Sequence, residues 1–307
     1  MKPKVLVVGS SNTDMILRME RLPRPGETIL GGEFCMAPGG KGANQAVGAA
    51  RAGGDVTFIA RVGRDVFGAQ AIAGFRKDRI DVRYVSHDPT NPSGVALIFV
   101  ANDGENSIAV ASGANARLSP ADVRRARHAF ASASVLLMQL ETPLATVEAA
   151  AELAAAHGVR VILNPAPAQK LPDALLRRVS ILTPNESEAE LLTGVRVASD
   201  AAAERAARAL LRKGPQAVVI TLGARGAFVA TADSSQLVPG FRVTPVDTTA
   251  AGDVFNGALA VALGEGKSLP DAVRFANAAG ALSVTKLGAQ PSAPTRGAIE
   301  RFLARQR

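Results

Sequence analysis

Short apolar segments alternate with alanine-rich stretches of helical spacing along most of this chain. The apolar segments have the length of buried strands and lie at 5–9, 56–60, 135–140, 159–164, 180–185 and 217–222. The stretches 119–130, 143–158 and 200–214 have helical spacing, with start and stop signals such as Pro120 and Gly158. Strands that alternate with helices of this length form βαβ units. We therefore predict an α/β fold, with a central, mostly parallel sheet flanked by helices on both faces.

Two regions, at about 13–38 and 93–112, interrupt this alternation with short alternating segments and Gly/Pro/Asn turns. In the second region, Asn102–Asp103–Gly104 separates two apolar runs and indicates a hairpin. We expect these regions to form a small antiparallel β lid near the carboxyl ends of the parallel strands, where open α/β sheets bind ligands. Since no linker, repeat or low-complexity segment divides the chain, we predict one domain over 1–307 with the lid inserted in it.

Composition excludes several classes of protein. A hydrophobic fraction of 47% with 20% charged residues is typical of a globular chain. No apolar run approaches the ~18 residues of a membrane span, and the start MKPKVLVVGS resembles a first strand more than a signal peptide, so we expect a cytoplasmic protein without a membrane partner. The single cysteine, Cys35, excludes internal disulfides and thiolate metal clusters.

The formal net charge of +8 favours anionic ligands such as phosphates. A nucleic-acid partner requires clustered basic residues with aromatic side chains that stack on bases. The chain has no Trp and one Tyr, and its basic residues are scattered, so we expect no nucleic-acid partner.

The segment 246–260 places small residues, Ala250–Gly252, immediately before Asp253 and a helical pattern. Small residues at a helix N-terminus let backbone amides approach an anion, and the helix dipole favours negative charge there. A carboxylate beside them can accept a proton from a hydroxyl group. The alternative is an ordinary Asp in a first helical turn.

A second glycine-rich segment, 37–54, carries Lys41 and Asn44 at the start of a helix. It could equally be a glycine turn with a solvated lysine. It is not a Walker A loop, because Gly42 follows Lys41 where that motif needs Ser or Thr. The stretch 264–268 (GEGKS) also fails, since Val261 occupies the position of the first required glycine.

Together these two segments resemble both signatures of the ribokinase-like, or PfkB-type, carbohydrate kinase family: GGKGANQA at 39–46 and DTTAAGDVFNGALA at 247–260. Further landmarks agree in order over essentially the whole chain, among them GSSNTD (9–14), LLMQLE (136–141), NPAPA (164–168), TPNESEAELLTG (183–194), TLGARG (221–226) and KLGAQPSAP (286–294). The resemblance implies an ATP-dependent sugar kinase, with D-ribose phosphorylated at its 5-hydroxyl as the favoured reaction. Open alternatives are a kinase for deoxyribose, another sugar or a nucleoside, and a non-catalytic sugar-binding regulator on the same fold.

The resemblance also assigns site residues. Asp253 would be the general base, with the amides of Ala250, Ala251, Gly252 and Asp253 stabilising charge on the phosphoryl group. The sugar would contact Asn12, Asp14, Gly40, Lys41, Asn44, Glu141 and Asp253. ATP would contact Asn185, Thr221, Leu222, Gly223, Ala224, Arg225, Gly226, Gly252 and Asn277. Taken alone, Asn12 and Asp14 would be turn formers, and TLGARG a hairpin turn.

Two metal ions are implied in the same way. Glu188 would help to hold magnesium, directly or through water, although Asn185 and Glu188 also fit a helix-capping pattern. Potassium would lie near Asp247, Thr249, Ser283, Lys286, Gly288 and Ser292, several of them acting through backbone carbonyls. The lid segments would expose strand edges, so we expect a homodimer that forms through the lid strands.

Overall fold

Strands and helices alternate in the computed structural model, which describes residues 2–103 and 105–306. The strands are β1 (Lys4–Val8), β2 (Asn12–Met19), β3 (Glu33–Gly39), β4 (Asp55–Gly63), β5 (Asp81–Asp88), β6 (Gly94–Ala101), β7 (Asn106–Ala111), β8 (Val135–Met138), β9 (Arg160–Leu163), β10 (Ile181–Leu182), β11 (Ala217–Thr221), β12 (Gly226–Thr231) and β13 (Ser235–Pro239). The helices are α1 (Lys41–Arg51), α2 (Val66–Lys77), α3 (Pro120–Arg125), α4 (Arg127–Phe130), α5 (Leu144–Ala156), α6 (Asp173–Leu176), α7 (Glu186–Thr193), α8 (Asp200–Leu211), α9 (Ala251–Gly264), α10 (Leu269–Ser283), α11 (Ala289–Ser292) and α12 (Arg296–Ala304).

The larger sheet has the strand order β13-β12-β11-β10-β9-β8-β1-β4-β5. Its strands pair in parallel from β11 through to β5, and only β12 runs in the opposite direction, since it pairs antiparallel with β11 on one side and with the edge strand β13 on the other. Successive residues of β1 enter different cores, Val5 on one face of the sheet and Leu6 on the other. Helices α1, α2, α9, α10 and α12 cover the first face, and α3–α8 cover the second. The predicted α/β architecture is confirmed.

The predicted lid is a separate four-stranded sheet with the order β3-β2-β6-β7. Its two hairpins, β2–β3 and β6–β7, are antiparallel, and they join through parallel pairing of β2 with β6. The parallel pair follows from the connections. Strand β2 continues from β1 and β6 continues from β5, and β1 and β5 run in the same direction in the larger sheet. The predicted turn includes Gly104, which lies outside the described residues.

Two local predictions differ from the structure. The helix expected over 119–130 begins at the predicted cap, where Ser119 and Asp122 form a capping box, but it divides at Ala126 into α3 and α4. The strand expected over 180–185 is only two residues long, because Pro184 has no N–H to continue the ladder. Among the described helices, none combines the length and the apolar character needed to cross a membrane.

Candidate active site

Close packing of α1 against α9 forms the floor of the site. A Cβ atom at Gly257 would lie 2.6 Å from the backbone of both Gln45 and Ala49, so only glycine permits this approach. The close contact brings the first turn of α1, with Asn44 and Gln45, beside the first turn of α9, with Asp253. The two glycine-rich segments singled out in the sequence therefore form one site.

Asp253 is buried, and both of its carboxylate oxygens accept hydrogen bonds from amides. Asn44 Nδ2 donates to Oδ2 and Gln45 Nε2 donates to Oδ1, each over 3.0 Å. Burial raises the pKa of Asp253, and the charge of Glu141 adds to this, while Lys41 and the two amides oppose it. A buried carboxylate with a raised pKa is a stronger proton acceptor than an exposed one.

Lys41 supplies the positive charge of the site. Burial alone would lower its pKa, but the charges of Asp253, Glu141 and Glu188 raise it, so the ammonium group keeps its proton. A fixed cation beside Asp253 suits the transfer of an anionic phosphoryl group.

The turn before α9 has the shape of an anion-binding loop. Ala250 adopts left-handed backbone angles, with φ 58° and ψ 15°, and caps α9 without a side-chain hydrogen bond. A Cβ atom at Gly252 would meet nothing within 4 Å, so this turn faces open space. In the first helical turn the amide of Ala251 donates to the carbonyl of Thr248, while the amides of Gly252 and Asp253 have no backbone partner among the described residues and are available to phosphate oxygens.

A cavity of about 520 Å³ extends from this turn along α10. Of the predicted nucleotide residues, it is lined by Thr221, Gly223, Ala224, Gly226, Gly252 and Asn277. Phe241 and Phe255 also line the cavity, and the sequence analysis did not predict them. The sequence signal that could have indicated them is an aromatic residue close to a glycine-rich segment. Apolar walls of this kind suit the flat face of an adenine base.

Three predicted nucleotide residues have other contacts. Leu222 packs into the core. Arg225 forms ion pairs with Glu186 and Asp200, at 2.8 Å and 3.1 Å. The side chain of Asn277 donates to two carbonyls near the end of β13, so its Nδ2 holds the cavity wall.

Asn185 and Glu188 form the capping box that was the alternative interpretation of this pair. Asn185 Oδ1 accepts from the amide of Glu188, and Glu188 Oε2 accepts from the amide of Asn185, both over 2.8 Å. Burial also raises the pKa of Glu188. The charge of Asp253 raises this pKa further, whereas the hydrogen bond from Asn185 and the charge of Lys41 lower it. Glu188 thus caps α7 and also lies within electrostatic range of Lys41 and Asp253, so the two interpretations are compatible.

On the side of the site predicted to bind the sugar, Asn12 begins β2 and is held by Asn115, whose Nδ2 donates to Asn12 Oδ1 over 2.7 Å. A Cβ atom at Gly94 would lie 2.2 Å from both amide groups, so glycine is required beneath this contact. Asn115 belongs to the GAN landmark at 113–115, but sequence reasoning assigned it no function.

Asp14 projects from β2 on the same side of the lid. A Cβ atom at Gly39 would lie 2.2 Å from its carboxylate oxygens, so β3 approaches closely only because residue 39 is glycine. Burial, and then the charges of Glu141 and Asp253, raise the pKa of Asp14 to about 6. The lid therefore places a fourth carboxylate, beside those of Asp253, Glu141 and Glu188, in the electrostatic field of the site.

Glu141 is fixed by groups from two other segments. Its Oε2 accepts from Ser10 Oγ over 2.5 Å and from the backbone amide of Lys41 over 3.0 Å. Ser10 was missed, although it lies in the GSSNTD string. A cavity of about 410 Å³, lined by Asn12, Glu141 and Thr142 among others, continues outward from here.

The predicted potassium residues lie in two regions that Asp247 joins, the loop before α9 and the stretch from the end of α10 to the end of α11. Its Oδ1 accepts from the amide of Thr249 and its Oδ2 from the amide of Gly288, over 2.9 Å and 2.8 Å. The hydroxyls of Ser283 and Ser292 donate to backbone carbonyls. Among the described residues, no three His, Cys, Asp or Glu side chains gather in a group that could hold a metal ion.

Known proteins share both the sequence and this architecture. Residues 2–296 match the model of the pfkB family carbohydrate kinases. A ribokinase from Haemophilus influenzae is 48% identical over 303 residues, which cover 99% of each chain. A deoxyribokinase from Salmonella typhimurium is 39% identical over 97% of each chain. The structure of Arabidopsis thaliana ribokinase complexed with ribose and ATP superposes with a TM-score of 0.91, at 34% identity over 99% of each chain.

Proposed function

This chain belongs to the pfkB family of carbohydrate kinases, and we propose that it transfers the γ-phosphoryl group of ATP to the 5-hydroxyl of D-ribose. The observation that carries the proposal is the position of Asp253. Its buried carboxylate lies at the N-terminus of α9, between the open phosphate-binding turn and the polar residues of the sugar side. All 307 residues would act as one kinase domain.

In the proposed reaction, Asp253 accepts the proton of the attacking hydroxyl while the oxygen of that hydroxyl forms a bond to the γ-phosphorus. The bond from the γ-phosphorus to the leaving oxygen of ADP breaks in line. Amides of Ala250–Asp253 and the ammonium group of Lys41 stabilise the charge on the phosphoryl oxygens. Phosphoryl transfer depends chiefly on positioning and electrostatics, which this arrangement supplies.

The higher identity to a ribokinase, 48% against 39% for a deoxyribokinase, supports ribose as the substrate. Two hydrogen-bond acceptors, Asn44 Oδ1 and the carboxylate of Asp14, are suited to binding a ligand with several hydroxyl groups. Asn44 Oδ1 is buried and has no hydrogen-bond partner among the described residues, and the carboxylate of Asp14 can accept from hydroxyls.

A coupled ATP-consumption assay tests the proposal with ribose, deoxyribose, fructose and adenosine as acceptors. We expect the highest kcat/KM with ribose. A higher value with deoxyribose or adenosine would contradict the substrate assignment. ATP consumption with none of the sugars tested, together with sugar binding by calorimetry, would instead support the non-catalytic regulator.

Magnesium and potassium belong to the proposal. Glu188, with one carboxylate oxygen left outside the capping box, would help to hold magnesium through water, and the loops joined by Asp247 would hold potassium. When bound, the two cations supply positive charge next to the phosphate groups. The assay repeated in sodium, potassium and tetramethylammonium salts should show the highest turnover in potassium, and equal rates in all three would contradict a potassium site.

The lid also supports the proposed homodimer. By strand register, Met15 shares one face of the lid with Met36 and Leu97, opposite to the face that carries Asp14. Met36 and Leu97, on either side of Met15, are 52% and 43% exposed, and neighbouring exposed apolar side chains of this kind are typical of an interaction surface. We propose that this outer face pairs with a second copy of the chain.

Met36→Lys should shift the mass measured by light scattering from dimer to monomer. Leu191→Lys, at an exposed apolar position on α7, should not shift the mass.

Two features support the predicted cytoplasmic location. The proposed reaction uses ATP, and Cys35 is an exposed free cysteine, which is typical of a reducing compartment.

A further inference from the structure

A chain of buried polar side chains lies behind Asp253 and Gly252. Gln45 Nε2 donates to Asp253 Oδ1 and also to Asn164 Oδ1, the second bond over 3.1 Å. Asn164 Nδ2 donates to the carbonyl of Thr183 over 3.0 Å. The chain thus leads from the carboxylate of Asp253 to the backbone at Thr183, just after β10.

From Thr183 the chain returns to α9. The hydroxyl of Thr183 donates to Asn256 Oδ1 over 2.6 Å, and Asn256 Nδ2 donates to the carbonyl of Gly252 over 2.8 Å. All four linking side chains, Gln45, Asn164, Thr183 and Asn256, are less than 10% exposed. The path of hydrogen bonds therefore begins at Asp253 and ends at Gly252. Because these two residues are adjacent in the chain, the path forms a closed loop.

Two backbone carbonyls fix the direction of every bond in this path. Because a carbonyl can only accept, Asn164 and Asn256 must present Nδ2 to Thr183 and Gly252, which leaves their Oδ1 atoms as acceptors. Gln45 must then donate to Asn164, and the Thr183 hydroxyl must donate to Asn256. With Nε2 facing both Asn164 and Asp253, Gln45 can offer Asp253 only a donor.

We propose that Thr183 is a positioning residue for phosphoryl transfer: it joins the two halves of this path and holds the carboxylate of Asp253 in register with the phosphate-binding turn. The inference rests on the proposed kinase function. The carboxylate must meet the attacking hydroxyl and the turn must meet the phosphoryl group at the same moment, so a small relative displacement costs rate. Substrate binding uses other groups, on β2, α1 and the nucleotide cavity.

The test compares Thr183→Val, which removes the hydroxyl at nearly constant volume, with Thr146→Val. Thr146 is also buried and donates through Oγ1 to a carbonyl, that of Leu118 over 2.7 Å, but it lies outside the path. We expect similar changes in melting temperature for the two variants. Thr183→Val should lower kcat about tenfold or more, with KM for sugar and ATP nearly unchanged. Thr146→Val should keep the wild-type kcat, and Thr183→Ser, which retains the hydroxyl, should recover most of it.

Equal kcat values for Thr183→Val and Thr146→Val would overturn the inference, as would a loss confined to KM. If Thr183→Val does not fold, Gln45→Met breaks the same path at its other end, and an unchanged kcat would overturn the inference. An active wild type is the reference for both comparisons. A wild type that phosphorylates no sugar would overturn the proposed function and this inference with it, whereas an active wild type with unaffected variants would overturn this inference alone.

Discussion

Asn115 determines which end of the Asn12 amide faces the sugar side of the site. Asn115 Oδ1 accepts from the backbone amide of Ser11 over 2.9 Å, so its Nδ2 must be the group that faces Asn12. Asn12 can accept this bond only through Oδ1, and its own Nδ2 is left as a donor for the ligand. A residue that sequence reasoning left without a function therefore sets the hydrogen-bonding polarity of one that it had assigned.

Asn115→Asp should weaken sugar binding through Asn12. An aspartate at 115 cannot donate to Asn12, so the Asn12 amide must turn and present its acceptor to the ligand. Mispairing one buried hydrogen bond costs about 1–3 kcal/mol, and we expect the KM for the sugar to rise about tenfold while the KM for ATP changes little.

A double-mutant cycle with Asn12→Ala tests this route. If Asn115 acts through Asn12, adding Asn115→Asp to Asn12→Ala should cost little more than Asn12→Ala alone. Additive losses in sugar KM would show that Asn115 acts independently.

Asp253→Asn should lower turnover by about 10²–10⁴, the range for loss of a general base. An amide has nearly the same size as the carboxylate but takes no proton at neutral pH. Calorimetric binding of sugar and of a nonhydrolysable ATP analogue should remain close to wild type, and a variant that keeps near-normal kcat would refute the assignment of the base.

Local sequence patterns predict most of the larger sheet, because burial on both faces gives each parallel strand a continuous apolar run. In the segment at 135–140, for example, Val135–Met138 forms the fully buried strand β8. The parallel pairing of β2 with β6 could not be predicted, since it depends on where the chain leaves the larger sheet twice, about 80 residues apart.

For the candidate site, the sequence motifs predict residues that lie within one element, such as Lys41 and Asn44 on α1. The path through Thr183 was missed for a physical reason. The bond from Gln45 to Asn164 spans 119 positions of the sequence, and the bond from Thr183 to Asn256 spans 73. Each polar residue alone is typical of a strand end or a helix. Only the packing of α1 and α9 against the ends of β9 and β10 brings them together.

Closure of the lid over the sugar should slow hydrogen exchange in 13–38 and 93–112. In the proposed complex Asp14 would reach the sugar from the lid. The connections pass through Gly40 and Gly113, whose positive φ values of 88° and 50° make them candidate hinges. We expect slower exchange in both segments on adding ribose without nucleotide, measured by mass spectrometry, with 159–164 and 217–222 unchanged as the internal control. Identical exchange with and without ribose would indicate a static lid.

The carboxylate of Asp14 is held in the folded protein at a cost to stability. Its pKa is raised from 3.8 to about 6 by burial and then by the charges of Glu141 and Asp253, so the folded state binds this proton more tightly than the unfolded state does. The unfolding free energy must then fall as pH rises from about 4 to 6, and the cost is fully present above that range.

Asp14→Asn removes the charge and should therefore stabilise the sugar-free protein at pH 7.5, by about 1–3 kcal/mol. At pH 3.5 most of the gain should be lost, because the wild-type carboxyl is then largely protonated in both states. Urea unfolding at the two pH values measures the difference, with Asp233→Asn in the exposed connection between β12 and β13 as the control. Asp14→Asn should also weaken sugar binding, so stability and affinity move in opposite directions. A variant that is less stable than wild type at pH 7.5 would mean that the carboxylate stabilises the fold, contrary to this electrostatic account.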